Sequence, residues 1–92
     1  MTVVFTAEAQ RDLDDILAYT KQHHAGQFSK LEDRFMVVFG RLERHPKSAP
    51  ELIRRRGVRV ASLTRYPFRV FYREIIDGVE ILYIRHTARK AP

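Results

Sequence analysis

The chain contains no cysteine, which excludes disulfides and thiolate chemistry and fits a reducing compartment. No apolar run approaches the roughly 20 residues a membrane span requires, so no membrane role is expected. Glycine and proline number four each, and the glycines form neither a Walker-type phosphate loop nor a dinucleotide fingerprint; nucleophile motifs are absent as well. The opening MTVVFTAEAQ has no basic start, apolar block and small-residue cleavage site, so export is not expected and a cytoplasmic protein is. His23 and His24 are adjacent, which on a helix turns them about 100° apart, and no spaced set of ligands completes a shell. No metal or cofactor is expected. The most local absence lies between Leu52 and Arg73, where there is no Asp, Glu or Lys. Acid–base chemistry there would have to use Arg, His and Tyr alone.

What is present fits one small globular domain over residues 1–92, with 45% of residues hydrophobic and 30% charged. The net charge of +6 is unevenly placed: residues 1–51 carry seven Lys or Arg against eight acids, residues 52–92 ten against three. Nine of those ten cations are Arg, whose planar fork suits phosphates and carboxylates. An anionic partner is the natural inference, against the plainer reading of a basic surface kept for solubility.

Val3, Val4 and Phe5 form a short apolar run ending at Thr6, a helix N-cap, with Glu8 in the first turn where the helix dipole favours a negative charge. Ala9, Leu13, Ile16, Leu17 and Thr20 then recur at helical spacing. The segment from His23 to Gly26 breaks the pattern, and Phe28, Leu31, Phe35, Val38, Phe39 and Leu42 make a second stripe that stops near Arg44 or His45, ahead of Pro46. The two helices should pack antiparallel against a sheet. A short strand is expected over 58–63, a turn over 64–67, and two further strands over 68–76 and 79–86. The order β-α-α-β-β-β describes an α+β, two-layer domain with a helical hairpin on a mainly antiparallel sheet.

Asp77 and Gly78 separate the last two strands and suit a type I′ turn. With those two as the loop, Ile76 faces Val79, Tyr72 faces Tyr83, Phe71 faces Ile84 and Arg69 faces His86. Arg69 and His86 would then stand side by side, with Arg73, Arg85 and Arg89 nearby. Such a group could hold a phosphate and move a proton, as metal-free cleavage of RNA requires; the plainer reading is a rim that binds a partner carboxylate. Arg54, Arg55, Arg56 and Arg59 form a second cationic run able to bind phosphates or an acidic partner, unless they pair with acids of the first helix. The tyrosines could stack on bases, although aromatics in strands of so small a domain are more often core.

Several segments together resemble the ParE branch of the RelE/ParE toxin superfamily. They are the opening V-x-F-T-x-x-A-x-x-D-L (Val3 to Leu13), Asp15-Ile16 with Tyr19, Gly57-Val58-Arg59, the stretch from Tyr66 to Arg73, and the terminal stretch from Val79 to His86. The resemblance covers nearly the whole chain. It implies the toxin of a type II toxin–antitoxin module of the plasmid-stabilization kind, neutralised by a small ParD-like antitoxin in a hetero-oligomer. ParE-type members inhibit DNA gyrase, whereas RelE-type members cleave mRNA on the ribosome. Of the nuclease pattern, Arg69 matches the strand arginine and His86 a C-terminal position. No Lys pair or Glu occupies 58–63, and no aromatic follows Tyr83.

The expectation is therefore a non-enzymatic gyrase inhibitor whose antitoxin- or target-binding residues are Arg54, Arg55, Arg56, Arg59, Arg69, Arg73, Arg85, His86 and Arg89. The alternative is a ribosome-dependent endoribonuclease using Arg69 and His86. A third reading is a non-toxic module that binds antitoxin or nucleic acid. The antitoxin should lay an amphipathic helix across the helical pair and bring acids to the Arg-rich sheet or pair with a strand edge.

Overall fold

The N-cap expected at Thr6 forms: its Oγ1 accepts the Ala9 N–H at 3.0 Å, and α1 (Ala7–His23) begins there, directly after β1 (Thr2–Phe5). The computed structural model describes residues 2–87. Past His24, one 3-10 turn (Ala25–Gln27) leads into α2 (Phe28–Arg44), which ends where Pro46 makes a further helical turn unfavourable. The expected stripes are the buried faces, with Ala9, Leu13 and Thr20 from α1 and Leu31, Phe35, Val38, Phe39 and Leu42 from α2.

Strands β2 (Val58–Ser62), β3 (Phe68–Ile75) and β4 (Gly78–His86) follow, giving a four-stranded sheet in the order β1-β4-β3-β2. β1 runs parallel to β4 and the other pairs are antiparallel. Val70, Tyr72, Val79, Ile81 and Ile84 turn one sheet face onto the helices. There Phe39 meets Phe5 edge-on at 5.1 Å, and Phe35 lies between Phe39 and Phe68. Tyr72 is fully buried, and its hydroxyl finds the Pro46 carbonyl oxygen at 2.7 Å, so the polar tip of a core aromatic is satisfied.

The register of the last hairpin differs from the expected one at two points. Ile75 pairs with Gly78, so the loop is Ile76 and Asp77, and a bulge at Leu82 separates the pair Tyr72 and Ile81 from the pair Phe71 and Tyr83. Both shifts have local causes. Asp77 takes the positive φ of 66°, which Asp tolerates in a tight turn. Gly78 instead opens β4, where a Cβ would collide with the Thr2 carbonyl oxygen and lie 2.9 Å from the Thr2 N and C atoms. The glycine is needed for the approach of β1.

The bulge is anchored by Thr6, whose Oγ1 donates to Leu82 O at 2.7 Å while also capping α1. Arg69 in consequence faces Arg85, and His86 faces Phe68. Tyr83 and Arg85 join Arg69, Phe71 and Arg73 on the face away from the helices, and Ile84 and His86 move to the other.

Candidate functional site

The open face of the sheet carries Arg69, Phe71 and Arg73 from β3 beside Arg85, Tyr83 and Glu80 from β4, each directly opposite its partner. Phe71 and Tyr83 stack with ring centroids 4.6 Å apart, a cross-strand aromatic pair of the kind that stabilises antiparallel ladders. The Arg85 guanidinium sits 4.3 Å from the Tyr83 centroid, within the range where the ring quadrupole attracts a cation. Arg55, from the loop preceding β2, reaches across the face and donates to the Tyr83 hydroxyl at 2.8 Å. Tyr83 is thus held between two arginines and a phenylalanine, and its hydroxyl aligns the 54–56 loop with the sheet.

The nine cationic residues singled out from sequence fall into distinct environments. Arg73 is neutralised by Glu80 at 2.7 Å. Arg85 is neutralised by α1, through Glu8 at 2.6 Å and Asp12 at 3.1 Å, and its already high pKa is raised further, chiefly by the Glu8 hydrogen bond. Arg59 leaves the open face altogether, pairing opposite Tyr72 and donating to the Ala49 carbonyl oxygen at 2.7 Å. Arg54, Arg55 and Arg56 are exposed in the loop, and Arg69 is exposed on β3. No ion pair engages these four among the described residues. His86 packs edge-on against Phe68 at 5.1 Å. Arg89 lies outside the described residues.

The pairing with first-helix acids considered for the 54–56 run is therefore made by Arg85 instead. Arg69 and His86 still line one cleft of about 1200 Å³ at the β3 and β4 ends, together with Tyr19, His24 and Tyr66 from other elements. They enter it from opposite faces of the ladder.

Asp12, on α1, carries more than an ion pair. Its Oδ2 accepts the Ile84 backbone N–H at 2.9 Å as well as the Arg85 guanidinium. β1 ends opposite Ile81, so the β4 edge beyond it would be left with unpaired backbone groups. Thr6 satisfies Leu82 O and Asp12 satisfies Ile84 N. The signal was the spacing Phe5-Thr6 with Asp12-Leu13 in the opening motif, which periodicity alone reads as cap and surface.

Among the described residues no group of His, Cys, Asp or Glu could hold a metal ion, and no helix is long and apolar enough to cross a membrane. No curated protein matches the chain. Among solved structures it is similar to a chain of the chromosomal ParDE TA system from P. aeruginosa. The two are 24% identical with a TM-score of 0.78, over 94% of this chain and 95% of that one. At that identity the likeness speaks to the fold, and it agrees with two helices packed on a four-stranded mixed sheet. Residues 3–91 match the family described as the ParE toxin of the type II toxin–antitoxin system parDE, and on that match the chain belongs to the ParE toxin family.

Proposed function

We propose that this protein acts in the cytoplasm as a non-enzymatic toxin that inhibits DNA gyrase and is held inactive by a ParD-like antitoxin. The observation that carries this reading is the cationic surface at the Phe71 and Tyr83 pair, where Arg55 reaches the Tyr83 hydroxyl and Arg69 stands on the same strand face, with Arg54 and Arg56 exposed in the loop beside Arg55. It offers anion recognition and aromatic contact area, the combination enriched in protein–protein hot spots. It offers no general base. Arg73, Arg85 and Arg59 are engaged within the fold, so among the described residues Arg54, Arg55, Arg56 and Arg69 are the arginines of the expected set most open to a partner.

For the antitoxin, two features support the expected wrapping mode. Tyr19, Met36 and Val37 are large hydrophobic side chains exposed on the helices, suited to an amphipathic helix. The outer edge of β2 is already occupied, because Leu52 N–H donates to Val58 O and Val60 N–H to Pro50 O. β1 therefore remains as the sheet edge to which an added strand could pair.

The nuclease alternative loses its expected cross-strand pair, since Arg69 stands opposite Arg85 and His86 opposite Phe68. Inducing the chain alone, with supercoiling assays on gyrase and primer-extension maps of mRNA, tests the reading. Blocked supercoiling with intact mRNA is expected, relieved by co-expression of a cognate ParD-like antitoxin. Cuts within codons and unimpaired gyrase would overturn it.

A further inference from the structure

A second cavity, of about 340 Å³, lies along the outer edge of β2, lined by Arg41, Ser48, Ala49, Pro50 and residues 60–62. It exists because the segment that covers the β2 edge diverges. Glu51 bridges Arg59 and Pro50 O accepts Val60 N–H at 3.0 Å. Beyond that bond Ser48 turns back, its N–H donating to His45 O.

Backbone groups alternate along a strand. Val58 and Val60 bond outward, while Leu63 N–H bonds inward to Phe68 O, so the Ser62 N–H belongs to the outer edge, at this cavity.

Charge in the cavity is one-sided. The Nε of Arg41 is closed off from solvent and has no hydrogen-bond partner, and no ion pair engages its guanidinium among the described residues. No Asp or Glu lines the cavity. A second guanidinium, that of Arg59, is fastened to Ala49 O beside it, and both arginines act on the nearby Tyr72 hydroxyl. A guanidinium with no ion partner beside an edge N–H is a donor set that an oxyanion satisfies.

We propose that this cavity binds a phosphate-type oxyanion, held by the Arg41 guanidinium and the Ser62 N–H. The site does not depend on the gyrase reading.

The experiment is an NMR titration of the full-length ¹⁵N-labelled protein with inorganic phosphate and with AMP, at ionic strength held constant with chloride. Saturable shifts of the Ser62 and Ala49 amides and of the Arg41 side chain are expected. If AMP moves the same resonances, the cavity accepts a phosphate monoester; if only inorganic phosphate does, it takes the free ion. Both results uphold the oxyanion site. Arg41→Gln should weaken binding at least tenfold, and Arg55→Gln should change it less than twofold. Shifts confined to residues 54–56, or none beyond those chloride produces, would overturn the proposal. So would an Arg41→Gln protein that folds and binds phosphate as well as the parent. Because the wild-type map is decisive alone, a variant that fails to fold does not shelter the idea.

Discussion

Replacing Asp12 by alanine removes one carboxylate from the surface of α1, yet its effect should exceed that of an ordinary surface ion pair. Its Oδ2 is the acceptor for Ile84 N–H at 2.9 Å, on a stretch of β4 that β1 no longer covers. A charge-assisted hydrogen bond to a partly buried backbone donor contributes about 1.5–3 kcal/mol. The accompanying contact to Arg85, half-exposed and shared with Glu8, adds about 0.2–1 kcal/mol. The sum, about 2–4 kcal/mol, corresponds to a fall in Tm of roughly 10–30 °C for a domain of this size.

Glu8→Ala is the matched control. It touches the same guanidinium but no backbone group, so it should cost about 1 kcal/mol or less. Urea unfolding gives the energies, and hydrogen exchange at the Ile84 amide gives the location. Protection there should collapse in Asp12→Ala and persist in Glu8→Ala. Equal costs for the two variants, or an Ile84 amide as protected without Asp12 as with it, would refute the idea that this carboxylate closes the strand edge.

Gly78→Ala should destabilise by about 3 kcal/mol, because the new methyl collides with the Thr2 backbone; a urea midpoint unchanged from wild type would show that β1 can yield. Tyr72→Phe should cost about 1 kcal/mol at neutral pH through the lost bond to Pro46 O. Burial raises the Tyr72 pKa above 10.0, so over the interval from there to its folded value the unfolded chain binds fewer protons. Wild-type stability should fall as pH rises above about 10. Tyr72→Phe should lose that part of the fall, and an identical alkaline profile would count against it.

The helices were legible because each has a single apolar stripe and an unambiguous boundary: Thr6 starts one and Pro46 stops the other. The strands were legible as segments but not in register. Asp77 and Gly78 look like a loop from two residues of context, whereas the position of Gly78 is decided by Thr2, 76 positions upstream in the chain. The Leu82 bulge likewise depends on Thr6, a contact no local window contains. One residue of slip exchanges strand faces, so the pairing of Arg69 with His86 failed even though both strands were placed well. The arginines were found by composition. Which of them were already spoken for required the fold, since Glu8, Asp12, Glu80 and the Ala49 carbonyl reach them through tertiary contacts.

The parallel alliance of β1 with β4 has a temporal side. During synthesis Thr2 to Phe5 emerge early, and their neighbours Gly78 to Ile81 emerge late. The closing of so distant a contact makes folding slow relative to helix formation. Until β4 has emerged, the nascent polypeptide can hold little more than a helical pair with an unclosed apolar face. Any surface that the finished sheet presents must then wait for β4.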